Sequence, residues 1–169
     1  MRKTNWLAAF GVAGALCAAS SGSSAQTINY GNDCPGFSGI TPTLSASGQV
    51  VSGQGYTLSV TGPASTGAVF FAGISNSSWM SIPLPLDITT FGFTGCDLNV
   101  SLNVQQGFGL DGTGNFSVPV TGHTAGVSIY LQVLTIDPDL VNFTTLGGLS
   151  EGLDVTPLAP SSTALGDVI

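Results

Sequence analysis

Tyr56-Thr57-Leu58-Ser59-Val60-Thr61 alternates large apolar side chains with hydroxyls without a break. In a β-strand successive side chains point to opposite faces, so Tyr56, Leu58 and Val60 share a buried face while Thr57, Ser59 and Thr61 meet water. Phe116, Val118 and Val120 repeat the pattern, and Cys96, Leu98, Val100, Leu102 and Val104 extend it into a longer predicted strand. Residues 68–74 and 127–136 are apolar on both faces, which places them centrally, with both sides covered. Ile82-Pro83-Leu84-Pro85-Leu86-Asp87 also alternates, but its outward positions include prolines, which cannot donate to a ladder. It reads as an edge strand or extended arm. Residues 43–47 are the expected first strand, and Leu153, Val155 and Leu158 mark the last.

Helical spacing is absent outside the N-terminus, and 24 glycines punctuate the chain. The expected fold is therefore all-β: a β-sandwich of about eight strands with Ig-like or jelly-roll pairing. The short matches between residues 37–39 and 93–95, and between 60–62 and 120–122, do not establish a repeat.

The chain has 169 residues, nine acids and two basic residues, and both basic residues, Arg2 and Lys3, precede an apolar run at residues 6–19. That run is shorter than the ~20 residues a membrane-spanning helix needs, and small residues follow it. The pattern predicts a signal peptide over residues 1–25, cut after Ala25. Lipidation at Cys17 is the rival reading, but Leu16 stands where a lipoprotein signal wants a small residue. The expected organisation is then one domain over residues 26–158 and a weakly ordered tail over 159–169. The exported part would carry no lysine or arginine. Phosphate contacts and anionic membrane surfaces both call on those residues, so nucleic acid and charged bilayers are excluded as expected partners.

Two cysteines, Cys34 and Cys96, remain after the cut. In an exported chain an even pair predicts one disulfide, worth up to ~4 kcal/mol by the chain-entropy argument. Two cysteines and one widely spaced histidine match no zinc motif.

Four pieces, taken together, carry a resemblance: Tyr30-Gly31-Asn32-Asp33-Cys34-Pro35-Gly36; Ser75-Asn76-Ser77-Ser78-Trp79 with Pro83-Leu84-Pro85-Leu86-Asp87; Gly95-Cys96; and Tyr130-Leu131-Gln132 through Asp137-Pro138. In order and spacing the chain resembles a family of small exported domains common in planctomycetes and related environmental bacteria, over residues 30–156. The resemblance implies a secreted domain with paired cysteines and a tryptophan-bearing loop. It implies no catalytic residue. The chain departs from the pattern at residues 150–156, where Glu151 replaces an expected asparagine.

Chemistry-bearing residues are few. His123, the single histidine, lies in a turn-like Thr-Gly-His-Thr-Ala-Gly segment without a nucleophile elbow, so it reads as an exposed turn residue rather than a general base. Asp137 and Asp139 flank a proline, which is turn chemistry more than a glycosidase pair. Asp111, Asp137 and Asp139, the latter two with Asn142, are the candidate calcium ligands in a chain otherwise expected to need no cofactor. Trp79, with Asn76 and Ser78, is the candidate ligand-binding loop: an exposed tryptophan stacks on a sugar ring or anchors a protein. The plainer reading makes Trp79 a plug over the end of the sandwich. Sequons begin at Asn76, Asn99, Asn115 and Asn142, as a Ser/Thr-rich composition produces.

These observations lead to an expectation of a non-enzymatic secreted domain for surface, envelope or matrix association, by adhesion or self-assembly. A carbohydrate-binding module built on Trp79 is the alternative, and a small secreted hydrolase a remote one. The expected partners are further copies of the chain or an extracellular glycan or protein.

Overall fold

The computed structural model describes residues 26–142 and 144–160. The predicted signal peptide, its cleavage point, Cys17 and residues 161–169 of the tail lie outside them. The described residues form thirteen strands and one 3-10 turn, Thr89–Phe91. Eight strands have five residues or more: β1 (Gln26–Tyr30), β2 (Thr43–Gly48), β3 (Tyr56–Thr61), β4 (Gly67–Gly73), β9 (Val104–Gly109), β10 (Asn115–Val120), β11 (Ile129–Ile136) and β13 (Gly152–Thr156). The short strands are β5 (Ser78–Trp79), β6 (Ile82–Pro83), β7 (Leu86–Asp87), β8 (Asp97–Leu98) and β12 (Gly147–Leu149). The expected first strand is therefore the second; β1 precedes it and pairs with β13.

The fold is a β-sandwich. The large sheet has the order β1-β13-β11-β4-β9, with β12 also on β11, and the small sheet has the order β10-β3-β2, all antiparallel. Leu44, Tyr56, Leu58 and Val60 from the small sheet pack on Ala68, Leu131, Val133, Leu153 and Val155 from the large one. Alternation thus does what the sequence predicts in β3: its apolar residues are buried and its hydroxyls line the outer face.

β4 and β11 lie at the centre of the large sheet and are apolar on both faces because both faces are covered. The inner face meets the small sheet. On the outer face Val69, Phe71 and Leu134 pack with Cys34, Cys96, Leu149, Ile88 and Phe93 in a second core. A third layer of ribbons and loops supplies it, tied down by the Cys34–Cys96 disulfide with Cα atoms 5.2 Å apart. The Cys34 segment lies flat on β12, exchanging backbone hydrogen bonds with Leu149 at 2.9 and 3.0 Å. Gly148 permits that approach, since a Cβ there would come 2.6 Å from the Gly36 nitrogen.

Two elements differ from expectation. The continuous strand predicted over residues 96–104 breaks after Leu98, and β9 starts at Val104, which is 59% exposed rather than buried. Buried polar groups intervene. The Asn99 N–H donates to Gln132 Oε1 at 2.9 Å, and Ser101 Oγ accepts from the N–H groups of Ile74 and Ser75, each at 3.1 Å. The backbone is thereby satisfied by side chains instead of a ladder. The proline-rich stretch forms no single edge strand. It divides into β6, paired with β5, and β7, paired with β8.

Candidate functional site

Among the described residues the charged side chains are unevenly placed. No charged residue occurs at positions 34–86, 98–110 or 112–136, apart from the titratable His123. The whole small sheet, β4, β5, β6, β9 and β11 therefore carry no formal charge. Seven of the described acids, Asp33, Asp87, Asp97, Asp137, Asp139, Glu151 and Asp154, fall on the third layer, the β11–β12 loop and the β12–β13 region. Asp111, in the β9–β10 turn, is the exception.

Strands without formal charge enclose an apolar cleft of about 300 Å3 lined by Leu58, Val60, Phe70, Phe108, Phe116, Val118 and Val120, with Gln106 and Gly107 at β9. It opens between β9 and β10, which are edge strands of opposite sheets on the same side of the sandwich. Phe108 and Phe116 stack across the gap with ring centroids 4.2 Å apart. An edge strand has neighbours on one side only, so these side chains remain half-exposed although they face the core. The two edges are not equivalent. Pro119 removes a donor from β10, which blunts it against further pairing, while β9 has neither proline nor charge.

The second feature is the β5–β6 hairpin. Its two-residue loop is Met80-Ser81, and both residues have positive φ, 49° and 70°. That is the pattern of a type I′ turn, which Asn-Gly serves at little cost and a long side chain does not. Met80 is nevertheless 82% exposed, and Ile82 and the preceding Ile74 are exposed with it. The base is firmly held: Ser75 Oγ accepts from the N–H groups of Ser77 and Ser78 at 3.2 and 3.1 Å, and the Ser101 N–H donates to Ser75 O at 2.9 Å.

Trp79 lies on this hairpin, half-buried, with Asn76 and Ser78 exposed on the same loop. It belongs to neither core cluster.

The three candidate calcium ligands occupy hydrogen-bonded turns. Asp111 accepts from the N–H groups of Asn115 and Thr113 and from the Thr113 hydroxyl, which together hold its carboxyl below the usual range. Asp137 accepts from the N–H and hydroxyl of Ser38 at 2.8 and 2.6 Å. Asp139, 1% exposed, accepts from the N–H groups of Asn142 and Val141 and from the Thr144 hydroxyl. The Asn142 N–H is the largest influence in lowering its pKa to about 2, against the opposing effect of desolvation. Among the described residues no three His, Cys, Asp or Glu side chains come together as a metal group.

His123 is half-buried rather than an exposed turn residue. Its Nδ1 lies 3.2 Å from the Tyr56 hydroxyl and the two rings pack with centroids 5.4 Å apart. Burial lowers the imidazole pKa and pushes the Tyr56 phenol up to about 12.

The sequence reading missed a buried polar network. Gln132, fully buried, accepts from the Asn99 N–H and donates from Nε2 to the carbonyls of Asp97 and Ser150 at 3.0 and 2.9 Å. Ser150 Oγ accepts from the Val133 N–H at 3.0 Å where β12 gives way to β13. A lone glutamine inside an otherwise apolar run was the available signal. Asn99 is only 2% exposed, so its sequon is out of reach in the folded protein.

Among the described residues no helix is long and apolar enough to cross a membrane. Against family models, curated proteins and solved structures, the chain finds no match.

Proposed function

We propose that this is a non-enzymatic extracellular domain that associates with copies of itself in a surface, envelope or matrix assembly. The observation that carries the reading is the segregation of charge. Like-charged copies repel through their acidic side, whereas the small sheet, β9 and the β5–β6 hairpin can meet without opposing carboxylates. The outer face of the small sheet is rich in hydroxyls that already bond across its strands, as in Thr43–Thr61 at 2.6 Å and Ser59–Ser117 at 3.3 Å. No lysine guards any strand edge over residues 26–160. The disulfide favours an oxidising compartment, as export through the predicted signal peptide would provide.

Light scattering on the oxidised protein, with and without calcium, tests this. The expected result is a native mass that rises with protein concentration and rises further with salt, because salt screens acidic repulsion. A monomer at every concentration and salt level would reject the reading.

A second reading, glycan recognition, is favoured by the half-exposed Trp79 beside Asn76 and Ser78. Trp79→Ala separates the two: lost glycan retention with unchanged native mass would favour the carbohydrate-binding reading.

A further inference from the structure

At one end of the sandwich three segments meet: the β2–β3 loop (residues 49–55), the β10–β11 loop (residues 121–128) and the chain leaving β13. Leu158 is held by the first, donating its N–H to Val50 O at 3.1 Å and accepting from the Ser52 N–H at 2.9 Å. Pro157 is held by the second, through the Gly126 N–H at 3.0 Å. The β10–β11 loop is itself lightly packed. Most of its residues are exposed, and a Cβ at Gly122 or Gly126 would meet nothing within 4 Å. His123 ties it down, with Nδ1 3.2 Å from the hydroxyl of Tyr56, a residue of the buried core.

Among the described residues that hydroxyl has no other hydrogen-bond partner. It donates to Nδ1 only while Nδ1 is unprotonated, so the closed loop selects the neutral ring with its proton on Nε2. Once Nδ1 carries a proton, the Tyr56 O–H loses its acceptor and a half-buried cation stands without a carboxylate beside it. The elements around His123 supply none. Tyr56 is the one titratable side chain of β3 and the β2–β3 loop, and β10 has no titratable group. Tyr130 of β11 pairs with Asp154 of β13, and Asp154 alternates with the buried Leu153 and Val155, so both lie on the opposite face of the large sheet.

We propose that the His123–Tyr56 contact is an acid-released pin: protonating His123 frees the β10–β11 loop and, with it, the Gly126–Pro157 bond. The inference goes beyond self-association and does not depend on it. His123 is the single histidine, residues 26–160 have no lysine or arginine, and the two cysteines are bonded to each other. No other side chain of the domain ordinarily titrates between about pH 5 and 8. Burial lowers the imidazole pKa in the closed loop. The pin is therefore at full strength above the ordinary imidazole value of ~6.5 and is lost as pH falls through the lowered one.

Hydrogen exchange on the oxidised protein, followed by NMR between about pH 7.5 and 5, tests the pin. Over that range the protection factor of the Gly126 amide is expected to fall about fivefold or more, the least that a buried hydroxyl left without an acceptor costs. The fall should track the titration of the His123 ring protons, while Leu58 and Val60 in β3 keep their protection. In His123→Gln, which offers an amide oxygen and does not titrate, Gly126 should be equally protected at both limits. Tyr56→Phe removes the hydroxyl but keeps the ring, and should blunt the response.

Constant Gly126 protection in the wild type, or a pH response that persists in His123→Gln, overturns the proposal. A response in Tyr56→Phe as large as that of the wild type also overturns it, since the hydroxyl would then not be the pin. Parallel loss of protection at Leu58 and Val60 would mean that acid weakens the whole sandwich, and there would be no local pin. The wild-type titration carries this last distinction by itself, even where a variant fails to fold.

Discussion

The inner face of the large sheet packs on a second sheet, strand against strand, whereas its outer face packs on ribbons, loops and a disulfide. On the inner side almost every contact is an apolar side chain from a regular ladder, and the sandwich is left open between β9 and β10. On the outer side short strands of two or three residues cannot bury much apolar surface, and the layer is fastened by Cys34–Cys96, by Gln132 and by carboxylates such as Asp139. Regular pairing tolerates an unfilled edge because its core is distributed over many residues. The irregular layer depends on a few specific bonds, each of which leaves buried polar groups exposed to loss when broken.

Removing the disulfide should show this contrast most strongly. The double change Cys34→Ser and Cys96→Ser is expected to cost about 2–5 kcal/mol in denaturant unfolding. Hydrogen exchange should quicken first at β7, β8 and β12, with β2, β3 and β10 protected longest. Equal loss of protection in both sheets would mean that the two faces unfold as one unit.

Gln132→Leu is close in volume but leaves the Asn99 N–H and the Asp97 and Ser150 carbonyls without their partner. An unsatisfied buried group costs about 1–3 kcal/mol, so the destabilisation should reach at least that range. Phe108→Ala, on the open side, should fall below the ~3–5 kcal/mol typical of a buried phenylalanine, because part of the ring already meets solvent. A larger loss at Phe108 than at Gln132 would reverse the comparison.

One titrating group on each side should also leave its mark on the pH dependence of stability, with the smallest effects of the series. Asp139 has a lowered pKa, so its contribution is present above the unfolded value near ~3.9 and disappears as pH falls toward about 2. Tyr56 has a raised pKa, so its contribution is complete below ~10 and is lost as pH rises through about 12. Asp139→Asn should flatten the acid limb and leave the alkaline limb unchanged, as measured by denaturation midpoints across pH. A change in both limbs would show that the layers are coupled through these groups.

Much of the sandwich was legible in the sequence. Strict alternation in residues 56–61 and 116–120 reports a strand with one wet face, and runs apolar on both faces report a strand covered twice, as β4 and β11 are. Six of the eight expected strands appear among the eight long ones, whereas β1 and β9 were not expected and residues 82–87 and 96–103 hold only two-residue strands. Alternation misled at residues 96–104, because Asn99 and Ser101 take wet-face positions in the pattern yet are buried and hydrogen-bonded. The pattern records polarity, not whether a polar group has found a partner inside. The Trp79 loop stood out in the sequence, but neither its hairpin pairing nor the exposure of Met80 did, since both follow from a backbone turn rather than from residue type.

By itself, then, the sequence determined the fold class, the pairing of its two internal cysteines and the concentration of negative charge in a few segments, because periodicity, parity and composition are local properties of the chain. Tertiary structure alone decided the strand order, the burial of Gln132 and Asp139 and the open cleft between β9 and β10. Those features depend on which distant residues share a neighbourhood, and burial, pKa and unfilled space arise only once packing has chosen those neighbours.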